Sequence, residues 1–186
     1  MAISALKKLM NGPAIFFSDV YLTDGHVVLK IHAHPCLQQL KGDNGGFSEN
    51  ALQVFFKSKT INKLTEQQIA VCDGVDSDIT VEDSRVSISE RMIFVNPTVD
   101  YPVAFDKKLI DAYTSLTGFD TGTFYGKSRL EMWWNEESTA DRTFGLMPLN
   151  LLINSVKKFS EVDEFKRLID AIGAMIRYDT ERGDEE

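Results

Sequence analysis

The chain has 186 residues, 43% of them hydrophobic, 26% charged and 10% aromatic, the profile of an ordinary globular protein with room for one sizeable core or two small subdomains. A formal net charge of -8 excludes a surface coated in basic charge for tight nucleic-acid binding, though not a local basic patch. No apolar run approaches the roughly 20 residues that cross a bilayer. Residues 1–10 carry no secretory signal, and two cysteines are too few for a disulfide framework, so two reduced thiols in a cytoplasmic protein are expected.

In chain order, Ser4 caps a predicted helix over 4–10 that buries Leu6, Leu9 and Met10 and exposes Lys7 and Lys8. Asn11, Gly12 and Pro13 end it. Strands over 14–17 and 20–23 lead to Asp24-Gly25, a tight-turn signal between apolar runs. A strand after that turn places Val27, Leu29, Ile31 and Ala33 on a core face. His26, Val28, Lys30, His32, His34 and Cys36 then share the other. Residues 41–46 form a glycine-rich loop, and Ser48 caps a helix over 49–57. Period-two patterning predicts a hairpin from 79–81 and 86–88 around a polar turn at 82–85, with Met92 and Phe94 on a further strand. Asn96-Pro97 and Tyr101-Pro102 are breakers. The helix over 106–116 buries Leu109, Ile110, Tyr113 and Leu116, exposes Lys107 and Lys108, and stops at Gly118. Strands follow at 123–125, 130–134 and 143–149. Leu152, Val156, Phe159, Val162, Phe165, Ile169, Ile172 and Met175 mark an amphipathic helix over 151–178, and 179–186 is an acidic tail.

Histidine crowding invites a metal reading, since His32 and His34 on one strand face, with Cys36 next, are zinc-ligand types at a ligand spacing. His-x-His-Pro also resembles the metal core of JAMM-type isopeptidases. That family needs an upstream glutamate and a Ser-x-x-Asp, and here no glutamate precedes Glu49, while Ala51 stands three residues after Ser48. No nucleophile elbow, phosphate-binding loop or dinucleotide fingerprint occurs. Asp73, Asp76 and Asp78 lack the spacing and distal glutamate of an EF-hand loop. Of Trp133 and Trp134, adjacent on a strand, at least one belongs to the core.

Thr23-Asp24-Gly25-His26 before an apolar strand resembles the signature hairpin of bacterial DNA polymerase III β sliding clamps. Phe144-Gly145-Leu146-Met147-Pro148-Leu149 resembles the closing strand of that family, and the stretch from Val103 to Tyr113 resembles the helix that opens its last domain. The resemblance covers about residues 14–34 and 102–149. This chain has Val27 and Asn150 where the family usually carries arginine, is shorter than a full clamp, and adds a helix and a tail. Paired lysines open both the first helix and the 106–116 helix, a faint internal echo.

The resemblance implies an α+β, sliding-clamp-like fold, with helices packed on antiparallel strands and repeated, plus an extra C-terminal helix. Subdomains are expected at 1–100 and 101–150, followed by the helix over 151–178 and the tail over 179–186. It further implies a non-enzymatic module without a cofactor, of the kind a phage or plasmid would carry. Such a module docks short linear peptides of replication or repair proteins in a pocket formed by Thr23, Gly25, His26, Val28, Met147, Pro148 and Leu149. Double-stranded DNA would be met by an oligomer through Lys7, Lys8, Lys107, Lys108, Lys157 and Lys158, with no membrane involved. Two rival expectations stand beside it: an acidic inhibitor that mimics DNA or blocks a host protein, and a metal-dependent hydrolase at His32, His34 and Cys36.

Overall fold

The computed structural model describes residues 2–73, 79–88, 90–96, 102–118, 121–128, 131–136 and 142–149. The first helix, α1 (Ala2–Leu9), precedes strands β1 (Ala14–Phe17), β2 (Tyr21–Thr23) and β3 (Val27–Lys30). A 3-10 helix (Pro35–Leu40), α2 (Glu49–Phe55), β4 (Thr60–Lys63) and α3 (Glu66–Asp73) follow. Next come β5 (Ile79–Ile88), β6 (Arg91–Val95), β7 (Val103–Asp106), α4 (Lys107–Thr117), β8 (Thr123–Gly126), β9 (Trp133–Glu136) and β10 (Arg142–Leu146). The architecture is thus mixed α and β, and the strands form one sheet in the order β4-β1-β2-β3-β10-β9-β8-β5-β6-β7. Among the described residues only the β4–β1 pair is parallel. The helix expected over 151–178, its Lys157 and Lys158, and the tail lie outside the described residues.

A three-strand antiparallel meander follows a helix twice, as β1-β2-β3 after α1 and as β8-β9-β10 after α4, and the meanders join where β3 pairs β10. The two helices pack together. Beyond β8 the sheet continues through β5 and β6 to β7, so one sheet runs through both sides of residue 100. Beyond β10 the chain continues until the Leu149 N–H donates to the Ala104 carbonyl of β7 at 2.8 Å. The row from β10 to β7 therefore curls until its ends meet, which covers much of an edge that would otherwise offer unpaired backbone.

Period-two alternation sorts the side chains onto two faces. Ile15, Phe17, Leu22, Val27, Leu29, Trp133, Phe144 and Leu146 point to the face that Leu6 and Leu9 of α1 and Ile110, Tyr113 and Leu116 of α4 cover. Aromatic rings fill the curled half. Phe94 and Phe124 pack edge to face at 5.2 Å, Phe105 lies 4.6 Å from Phe124, and Tyr113 of α4 stacks on Phe144 at 3.9 Å. On the opposite face the described residues form a smaller buried cluster of Tyr21, Val28 and Trp134. Val28 of that cluster borders a cavity.

Local chemistry explains several boundaries. The Asp106 carboxylate caps α4 by accepting the Lys108 N–H at 2.9 Å, and Gly118 closes it in the left-handed region at φ 74. Ser48 caps α2 as its position foretells. The strand expected to run through His34 stops at Lys30 instead. Pro35 has no N–H for a ladder and begins a 3-10 helix, which His34 caps by accepting the Cys36 N–H on Nδ1 at 3.0 Å. His32, His34 and Cys36 consequently do not share a strand face, and among the described residues no group of three metal-ligating side chains is assembled.

The predicted hairpin over 79–88 is a single strand, β5, bulged between Asp83 and Val86, and the reversal falls between Ile88 and Arg91. Polar side chains in the bulge take up its backbone: Asp83 accepts the Arg85 N–H at 2.8 Å, and Ser84 Oγ donates to the Ile93 carbonyl at 2.6 Å. What reads as turn chemistry serves to kink a strand. Arg85 sits at φ 60 within that kink.

Candidate functional site

The turn after β2 is built by two side chains. Thr23 Oγ1 accepts the Gly25 N–H at 3.0 Å. Asp24 Oδ1 accepts from His26 and Val27 at 3.0 and 3.1 Å, and its Oδ2 accepts from Gly12 at 2.8 Å. One carboxylate thus ties the hairpin to the segment that ends α1. Gly25 is at φ 93, which a side chain would strain, and a Cβ on Gly12 would meet Asp24 Cβ at 3.0 Å.

β3 then returns beside β10, with Val28 opposite Gly145 and Val27 opposite Leu146. Past Leu146 the ladder gains one more bond, from the Met147 N–H to the His26 carbonyl at 2.8 Å. The hairpin and the Met-Pro segment, more than a hundred residues apart in sequence, are therefore neighbours.

There they border a cavity of about 570 Å³, a size typical of small-ligand and peptide-anchor pockets. Thr23, Gly25, Val28 and Met147 line it. His26 contributes through its backbone while its side chain stays exposed; Pro148 and Leu149 are half-buried, lie outside the lining, and carry the chain on to β7. Four of the seven expected pocket residues thus meet at one site.

The remaining walls come from residues that the sequence does not nominate for the pocket. Phe16 of β1 and Leu64 contribute apolar surface, α3 supplies Gln68, Val71 and Cys72, and the approach to β9 supplies Lys127, Glu131 and Met132. The signal for α3 was present. Thr65-Glu66-Gln67-Gln68 is a capping box: the Thr65 N–H donates to Gln68 Oε1 at 2.9 Å, and the Gln68 N–H donates to Thr65 Oγ1 at 3.2 Å. The helix is hidden from periodicity because it has no fully buried residue. Only Ile69 and Cys72 pack against the sheet, and the Tyr21 hydroxyl anchors its end by donating to Asp73 Oδ1 at 2.5 Å.

Burial and the neighbouring Asp73 carboxylate push the Cys72 thiol up to about 11, so it stands in the wall as a neutral, polarisable group beside two methionines. Burial also raises the Cys36 thiol. Chemically, the site offers apolar and sulfur-rich walls with a few polar groups, Thr23, Gln68, Lys127 and Glu131, which suits holding an apolar side chain.

The lysines expected to face DNA have local partners in part. Lys7 lies over the Phe55 ring at 5.3 Å, and Lys107 pairs with Asp111 at 2.6 Å, a bond that raises its pKa. Lys8 and Lys108 are exposed. Among the described residues no helix is long and apolar enough to cross a membrane. No protein-family model matches the sequence, and no curated protein or solved structure is significantly similar to it.

Proposed function

We propose that this chain is a non-enzymatic, sliding-clamp-like docking module whose cavity receives a short apolar peptide from a replication or repair protein. The observation that carries this reading is the convergence of Thr23, Gly25, Val28 and Met147 on one cavity, with Met147 hydrogen-bonded to the His26 carbonyl. The twice-used unit of helix and three antiparallel strands, joined through β3 and β10, supports the repeat that a clamp-like fold requires. In this reading copies of the chain assemble around double-stranded DNA in the cytoplasm of a phage- or plasmid-bearing host, with Lys7, Lys8, Lys107 and Lys108 on paired helices turned toward it.

The test is selection from a displayed library of random short peptides on the immobilised full chain. Enriched peptides are expected to share closely spaced aliphatic or aromatic residues. Met147→Ala is expected to weaken them by about 1–2 kcal/mol, roughly 5- to 30-fold, as loss of a pocket anchor does. Because Met147 is only half-buried, the melting temperature should barely move. Selection of nothing, or of peptides indifferent to Met147→Ala, overturns the reading.

A further inference from the structure

Trp133 and Trp134 are adjacent on β9 and face opposite ways, and their polar edges are treated differently. The Trp133 indole N–H donates to the Ser128 carbonyl at 2.9 Å. Trp134 is 1% exposed, and its Nε1 is buried with no hydrogen-bond partner among the described residues. An unpaired buried donor costs free energy comparable with a lost hydrogen bond, and folded proteins rarely keep one without a use.

Its surroundings suggest the use. Trp134 shares its cluster with Tyr21, Val28, Leu64, Ile69, Cys72 and Met132; of these Val28, Leu64, Cys72 and Met132 line the cavity, and Trp134 itself does not. Its six-membered ring lies against Gly145, where a Cβ would stand 3.2 Å from Cε3, which leaves the N–H on the far edge of the indole. Two of the cavity walls that share its cluster yield easily. They are the unbranched Met132 side chain, and α3, which has no fully buried residue.

We infer that the Trp134 indole N–H is a latent donor of this cavity, taken up by a main-chain carbonyl of the docked peptide next to the aliphatic side chain that fills the apolar walls. The inference rests on the docking reading and adds to it a polar requirement. A purely greasy occupant would leave the donor unpaired, whereas an extended peptide brings a carbonyl with every residue. Shifting Met132 and α3 outward exchanges their contacts for those of the peptide and pairs the donor in the same step.

The experiment uses the full-length chain labelled with nitrogen-15, titrated with N-acetyl-leucine methylamide at millimolar concentration, a probe with one aliphatic side chain and two amide carbonyls. The two tryptophans give two indole N–H signals, and the bonded Trp133 serves as internal control. The Trp134 proton is expected to move downfield and exchange more slowly with solvent, while the Trp133 signal stays in place. Replacing Trp134 with 3-benzothienylalanine, a sulfur isostere lacking only the N–H, is expected to weaken the probe about fivefold, the worth of one neutral hydrogen bond. It should leave the unfolding midpoint unchanged or higher, whereas a merely structural tryptophan would show a lower midpoint and unaltered affinity. If the probe shifts the Met147 and Val28 methyl signals but not the Trp134 indole, the inference fails and the docking site stands. If none of these signals moves, the docking reading falls and takes the inference with it.

Discussion

Asp24 is the side chain on which the geometry of the site most depends, and the cost of losing it can be worked out. Its carboxylate accepts three backbone N–H groups, those of His26, Val27 and Gly12. Hydrogen bonds to a charged acceptor contribute about 1.5–3 kcal/mol each, and a buried donor left unpaired costs about 1–3 kcal/mol. Val27 is fully buried, so its N–H bears that penalty, while His26 and Gly12 are open enough for water to replace most of what they lose. Asp24→Ala is therefore expected to cost about 3–4 kcal/mol. Against a urea slope of about 2 kcal/mol/M, the unfolding midpoint drops by about 1.5–2 M. Asp24→Asn separates acceptor from shape. Its carbonyl can still serve His26 and Val27, but its amide points a donor at the Gly12 N–H, so about half the loss is expected. Peptide capture should fall in the same order, because the hairpin holds Thr23, Gly25 and Val28 at the cavity. A loss below about 1 kcal/mol for Asp24→Ala, or equal losses for both variants, would refute the reasoning.

Other expectations follow from single contacts. With Cys72 raised to about 11, its thiolate fraction at pH 8 is about a hundredfold below that of a thiol titrating near 9. Alkylation of Cys72, read by peptide mass mapping, should be slow at pH 8 and still be climbing above pH 10; a plateau near pH 9 contradicts the buried wall. Tyr21→Phe removes the donor to Asp73 and about 1 kcal/mol of the anchoring of α3. Amide exchange over 69–73 should quicken while that of β3 and β10 holds. Gly126→Ala sets a Cβ about 2.7 Å from Trp133 Cε2, inside a ring with no exposed surface and no room to retreat. A loss of about 2–3 kcal/mol in melting experiments is expected from such overpacking, and an unchanged melting temperature would mean that β8 and β9 are not in this register.

Physics that acts over a few residues left its mark in the sequence, and physics that needs the assembled sheet did not. The α4 boundaries follow from the Asp106 cap and Gly118, and the buried side of α1 from the spacing of Leu6, Leu9 and Met10, because caps and stripes are local. The end of β3 at Lys30 is not foretold by alternation, which does not say where a ladder loses its partners; β2 begins at Tyr21, opposite Lys30, and the Ala33 N–H turns back onto the Lys30 carbonyl. The polar run over 82–85 reads as a turn in isolation, and only pairing with β6 converts it into a bulge. At the site the divide is the same. Thr23, Gly25, Val28 and Met147 could be nominated because two short motifs carry them. α3 carries only a capping box, Thr65 to Gln68, with no buried stripe after it to mark a helix. Among the described residues α3 is held by few contacts, and in the proposed docking reading it is the wall that costs least to displace. The weak periodicity that hid α3 has a physical cause, the absence of an apolar stripe deep enough to lock it to the sheet.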